Sequence, residues 1–255
     1  MDLICFQTEI AWENRAENFA RIEAMVDGAA VAPGSLLAFP ELCVAGFTMN
    51  VGAVGESESG ESVAFFSDLS RRRSCHLIAG IPTLDPSGAG RNEAVCFDPE
   101  GRVAGRYRKV HLFPLAGEGN HYLPGSGPLV IECGGWRVAP FICYDLRFPE
   151  LFRQAARAGA EVMMVIANWP AIREDHWITL LRARAIENQA YVAGVNRCGT
   201  DPTLAYSGAS LIVSPKGDVL ARAGSLPEVL SAGLNRDEFD DWRSRFPALA
   251  DMRLI

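Results

Sequence analysis

Short, unbroken apolar runs alternate along this chain with longer segments whose apolar residues recur at helical spacing. Residues 2–8, 35–40 and 75–80 are runs of the first kind, and 161–167, 190–196, 209–214 and 229–234 repeat the pattern later. Runs this short and this apolar read as strands buried in a sheet. Between them, the segment up to Asp27 places Phe19, Ile22 and Val26 three to four residues apart among charges, and 61–73, 149–158 and 176–189 read as further helices. In the last of these, Ile178, Leu181, Ala185 and Ile186 form the expected buried side. Two hairpins interrupt the alternation, 92–97 with 102–108 around Asp98-Pro99-Glu100-Gly101, and 129–133 with 137–142 around Gly134-Gly135. A short acidic helix with Phe239 and Trp242 follows the last strand. Strands that alternate with helices and are also joined in hairpins call for a layered α/β architecture with mixed sheets.

Bulk properties narrow the function classes. A chain of 255 residues with 49% hydrophobic content can bury a large core, and no linker-like or low-complexity stretch divides it. One domain over 1–255 is expected. The net charge of -7 is spread along the chain without a basic stripe, which argues against nucleic acid as a partner. The opening Asp2-Leu3-Ile4-Cys5-Phe6-Gln7 lacks the charge and length of a signal peptide, and no run reaches the length of a membrane span. A soluble cytoplasmic protein without a membrane partner is the expectation. Seven cysteines with no C-x-x-C pair fit neither a disulfide framework nor a zinc site, so most should be small buried apolar residues.

Four residues carry most of the chemical signal. Lys109 is one of two lysines in a chain that otherwise places its positive charge on arginine, and it directly follows Arg106-Tyr107-Arg108. An ammonium is a compact point charge where guanidinium is a planar fork, so Lys109 is either a solvated strand-end charge or a cation aimed into a cleft. Cys143 ends the apolar run 138–142 and begins a strand-to-helix junction, where a nucleophile can be exposed beside helical amides. Buried packing is the competing account, and catalysis would require a base and a nearby cation. The four histidines offer no obvious base, and His111 and His121 match no compact metal motif. Glu41, placed at the end of 36–40, is the better candidate base. Glu118 lies in Gly117-Glu118-Gly119, where close approach to a ligand and plain loop solvation are both open.

Taken together, Phe39-Pro40-Glu41, Arg108-Lys109-Val110-His111-Leu112-Phe113, Glu118 and Cys143-Tyr144-Asp145-Leu146-Arg147-Phe148-Pro149 occur in the order that resembles the nitrilase superfamily of carbon-nitrogen hydrolases. The likeness extends through Asn168-Trp169-Pro170, residues 182–189, Gly208 and Ser210, and is nearest to the omega-amidase-like branch. It implies a four-layer α-β-β-α sandwich with two mixed sheets, assembled at least as a homodimer. It also implies a Glu41–Lys109–Cys143 triad with Glu118 as an additional acid, the Tyr144 N–H as an oxyanion donor, and no metal or organic cofactor. The substrate class implied is a small carboxamide, such as a dicarboxylic acid monoamide, hydrolysed through a cysteine thioester. A distal carboxylate would need a partner, for which Arg147, Arg173 and Arg197 are candidates, and Asn168 and Trp169 are placed to wall the pocket. Aliphatic amidase, N-carbamoyl hydrolase and nitrilase share the same motifs. A catalytically idle scaffold is disfavoured by the filled triad, and a thiol redox protein by the absence of a resolving cysteine close in sequence to Cys143.

Overall fold

Residues 1–253 are described by a computed structural model. β1 (Asp2–Gln7), β2 (Leu36–Ala38), β3 (His76–Leu84), β4 (Gly90–Phe97) and β5 (Val103–Arg108) belong to one six-stranded sheet. β6 (Ile131–Cys133), β7 (Trp136–Ile142), β8 (Val162–Ala167) and β9 (Tyr191–Asn196) belong to a second. β10 (Cys198–Thr200) and β11 (Ala205–Ser207) form a separate hairpin, β12 (Leu211–Val213) and β13 (Val219–Arg222) complete the second sheet, and β14 (Glu228–Gly233) returns to the edge of the first. The two sheets share one sequence of pairings from edge to edge. Each runs antiparallel, parallel, parallel, antiparallel, antiparallel.

Strand periodicity explains the layering. In β1, Leu3 and Cys5 enter one buried cluster while Ile4 and Phe6 enter another, as a period of two requires when both faces are covered. The outer cluster is sealed by α1 (Arg15–Asp27) through Ile22 and Val26, beside the short α2 (Val51–Val54), and by α3 (Glu61–Arg73) through Val63, Phe66 and Leu69. The inner face joins the second sheet in a larger cluster that also takes in Phe152 of α4 (Pro149–Arg157) and Trp177 and Leu181 of α5 (Glu174–Asn188). α6 (Arg236–Arg245) adds Phe239 to that cluster. The result is the α-β-β-α sandwich expected from the sequence. No helix among the described residues is long and apolar enough to cross a membrane.

The expected phase of α5 is corrected by the structure. Its buried stripe is Trp177, Leu181, Arg184, Ala185 and Asn188, whereas Ile186 is 52% exposed. The stripe follows the i, i+4, i+7, i+8 rule, and Ile186, one residue beyond Ala185, is turned about 100° away from it. β10, β11 and β13 are also additions, being too short and too mixed to show a period in the sequence.

The candidate site residues cluster where strands of both sheets end. Glu41 follows β2, Lys109 follows β5, Cys143 follows β7 and Asn168 follows β8. The carboxyl ends of strands are where open α/β sheets meet ligands. Gly80 in β3 makes one approach possible, since a Cβ there would lie 2.4 Å from the Leu42 nitrogen and 2.5 Å from the Glu41 Cα. A side chain at that point would push the backbone bearing Glu41 away from the sheet.

Candidate active site

Glu41, Lys109 and Glu118 form one buried cluster, with relative exposures of 0%, 1% and 0%. The Lys109 Nζ lies 2.8 Å from Glu41 Oε1 and 3.0 Å from Glu118 Oε1. Asn92 Nδ2 donates to the same two oxygens at 2.8 and 3.0 Å. The outer oxygens are taken by main chain, Glu41 Oε2 accepting from the Asn168 N–H at 2.9 Å and Glu118 Oε2 from the Phe113 N–H at 2.6 Å. Buried carboxylates need such donors, because removing their hydration without replacement is costly. Solvation of Lys109 and of Glu118, both open from sequence, is thereby excluded.

The charges tune one another. Burial alone would lower the Lys109 ammonium's pKa, but the Glu41 and Glu118 carboxylates outweigh it and hold the value above that of an ordinary lysine. Burial raises Glu118, the lysine opposes the rise, and repulsion from Glu41 adds to it. Burial likewise pushes the Cys143 thiol well up, the Glu41 charge pushes further, and Lys109 pulls the other way. A hydrogen bond to Glu41 also favours the protonated thiol. Burial and the neighbouring carboxylate thus favour the thiol over a free thiolate, so a nucleophilic role for this sulfur calls for a base to take its proton.

Cys143 stands at the head of a 3-10 turn, Cys143–Arg147, with φ of 47°. A non-glycine residue in the left-handed region marks local strain, as in a sharp strand-to-helix nucleophile turn. The first N–H groups of such a turn have no partner within it, which leaves that of Tyr144 available for an oxyanion. Of the seven cysteines, six are buried and Cys143 alone is partly accessible.

A cavity of about 360 Å³ opens onto Cys143 and Lys109. Asn168, Trp169, Tyr144, Arg147 and Arg173 all line it. The Arg147 guanidinium lies over the Trp169 ring at 4.8 Å and that of Arg173 over Phe113 at 5.5 Å. Neither is ion-paired to a carboxylate among the described residues. Arg197 corrects the expectation made for it. Fully buried, it lies over the ring of Tyr206 at 4.4 Å and donates to the carbonyls of Ile10 and Thr200 at 3.1 and 2.8 Å, so it braces the β10–β11 hairpin from behind and does not line the cavity. That hairpin instead brings Asp201, Leu204 and Tyr206 to the cavity wall, residues the sequence reading missed. Asn92 was missed too, although two adjacent polar residues, Asn92-Glu93, inside an apolar strand were a visible signal.

Residues 5–244 match the family model described as carbon-nitrogen hydrolase. An omega-amidase of Yersinia enterocolitica is 36% identical over 256 residues, covering 98% of this chain and 96% of that protein. A 2-oxoglutaramate amidase of Bacillus subtilis is 32% identical, with the same coverage of both chains. Among solved structures, a CN-hydrolase superfamily protein of Xanthomonas campestris, with an arsenic adduct in its active site, superposes with a TM-score of 0.93 at 30% identity over 100% of this chain and 98% of that one. With a cysteine, a lysine and two carboxylates gathered at one cavity and a match along nearly its whole length, this chain belongs to the carbon-nitrogen hydrolase family.

Proposed function

We propose that the chain is a single carbon-nitrogen hydrolase domain over 1–255 that acts as an omega-amidase on dicarboxylic acid monoamides such as 2-oxoglutaramate, releasing ammonia. One observation carries the reading: an acid–lysine–acid cluster faces a lone accessible thiol, across a cavity from two guanidinia without ion-pair partners. Glu41 takes the thiol proton as the Cys143 sulfur attacks the amide carbonyl. The Lys109 ammonium and the Tyr144 N–H receive the developing oxyanion. Collapse expels ammonia, protonated by Glu41, and leaves an acyl thioester. Water, deprotonated by Glu41, then releases the carboxylic acid. Arg147 and Arg173 supply charge for the substrate's far carboxylate, which a neutral amide would leave unused. The two named amidases support this choice of substrate.

The test is ammonia release from a panel of dicarboxylic monoamides, aliphatic amides, N-carbamoyl amino acids and nitriles. The monoamides should give the highest kcat/KM, and Arg147→Gln with Arg173→Gln should raise KM for them while sparing neutral amides. Equal or better turnover of nitriles or neutral amides would reject the assignment.

The working form is taken to be a cytoplasmic homodimer. Leu115 and Ile172, 85% and 84% exposed, are apolar surface that association would cover. Light scattering at micromolar concentration should give at least twice the 27.7 kDa chain mass, and a clean monomer would contradict it.

A further inference from the structure

We infer that Asp145 is a positioning residue that keeps the Lys109 ammonium and the Cys143 sulfur in register across the two sheets, a role that rests on the triad reading above. Lys109 leaves β5 in the first sheet and Cys143 leaves β7 in the second, and no strand pairing joins one sheet to the other. The spacing between ammonium and sulfur is thus not set by any hydrogen-bond ladder among the described residues. It must be set by side chains that bridge the sheets.

Asp145 is fully buried and has no lysine or arginine partner among the described residues. All its bonds go to the two segments in question. Oδ2 accepts from the Tyr107 hydroxyl at 2.7 Å and from the Ile142 N–H at 3.2 Å. Oδ1 accepts from the His111 N–H at 2.8 Å and lies 2.9 Å from His111 Nδ1. A carboxylate can only accept, so Nδ1 carries the ring proton in that bond. The placement is symmetrical: Tyr107 and His111 stand two residues either side of Lys109, Ile142 immediately precedes Cys143, and Asp145 is two residues beyond it. His111 also stacks on Phe148 with ring centroids 3.7 Å apart, holding the same two segments face to face. The main-chain bond from Asn168 to Glu41 ties the base, and through it the tip of Lys109, to the second sheet, but it holds none of the main chain that carries the lysine. A buried carboxylate with four donors and no role in proton transfer is a costly group to keep for packing alone. Misplacing a reacting group by about 1 Å can cost ~10²-fold in rate, which is the scale at stake here.

The experiment compares wild type with Asp145→Asn and Tyr107→Phe, measuring thermal melting, kcat and KM, and the pH profile of Cys143 alkylation by iodoacetamide. Asn preserves shape but turns one acceptor into a donor that faces other donors. Folded Asp145→Asn should lose about 10²-fold in kcat with KM little changed, and its alkylation profile should move to higher pH because the ammonium no longer sits beside the sulfur. Tyr107→Phe, which removes one bond of the four, should shift both readouts in the same direction by less. A wild-type alkylation profile in folded Asp145→Asn, whatever its melting point, overturns the proposal. Should that variant not fold, a wild-type profile in Tyr107→Phe does so. Alkylation requires no substrate, so an error in the substrate assignment leaves this test intact. A wild-type profile in Lys109→Met would instead remove the triad reading, and the inference with it.

Discussion

Cys143→Ala is expected to abolish amide hydrolysis, with turnover falling by about 10⁶-fold, the scale on which covalent enzymes respond to loss of their nucleophile. The fold should survive. Cys143 already occupies a left-handed backbone at φ 47° that alanine meets with the same strain, and its side chain is only partly packed. Mass spectrometry of the wild-type protein during turnover should find one acyl adduct, on Cys143. The other thiols are poor competitors, since burial pushes Cys5 and Cys43 far up and raises Cys198 to about 11. An adduct mapped to Cys43, Cys75 or Cys198 would refute the mechanism outright.

Lys109→Arg should be almost as inactive as Lys109→Met, each losing ~10²–10³ in kcat or more, as when an oxyanion donor is removed. The site explains why equal charge is not enough. A single Nζ meets Glu41 and Glu118 at 2.8 and 3.0 Å in a space with 1% exposure, and a planar guanidinium on a different stem cannot put one donor at that point without displacing a carboxylate. Lys109→Met should be destabilised as well, because two carboxylates that share one cation would be left facing each other in the interior. Turnover and melting temperature of both variants check this, and a fully active Lys109→Arg would dismantle the triad.

How legible each residue was depended on whether its signal was local. Glu41 and Cys143 each end an apolar run and Lys109 is a rare lysine that follows a strand, so a charge or thiol at the lip of a sheet could be read directly, and the ordered motifs supplied the roles. Arg147, Arg173 and Arg197 looked alike because the sequence does not say which side of a hairpin an arginine will occupy. That hairpin, Cys-Gly-Thr against Ala-Tyr-Ser, is too short to show a period. Ile186 was placed on the wrong face since Trp177, Arg184 and Asn188, two of them polar, hold the buried stripe that an apolar count overlooks. The bridge made by Asn92 and the bonds from Tyr107 and His111 to Asp145 join residues 26 to 51 positions apart, and such contacts exist only once the sheets have formed and packed.

The pairing of β1 with β14 has a consequence for biosynthesis. Asp2–Gln7 leaves the ribosome long before its antiparallel partner Glu228–Gly233. Until then one side of β1 offers its main-chain donors and acceptors to any passing strand, and the apolar residues along it favour such adhesion. Closure between such distant segments is also slow in entropic terms. A nascent chain stalled before residue 228 would therefore display an open, sticky edge, which makes it a natural client for chaperones that shield unpaired strands during translation.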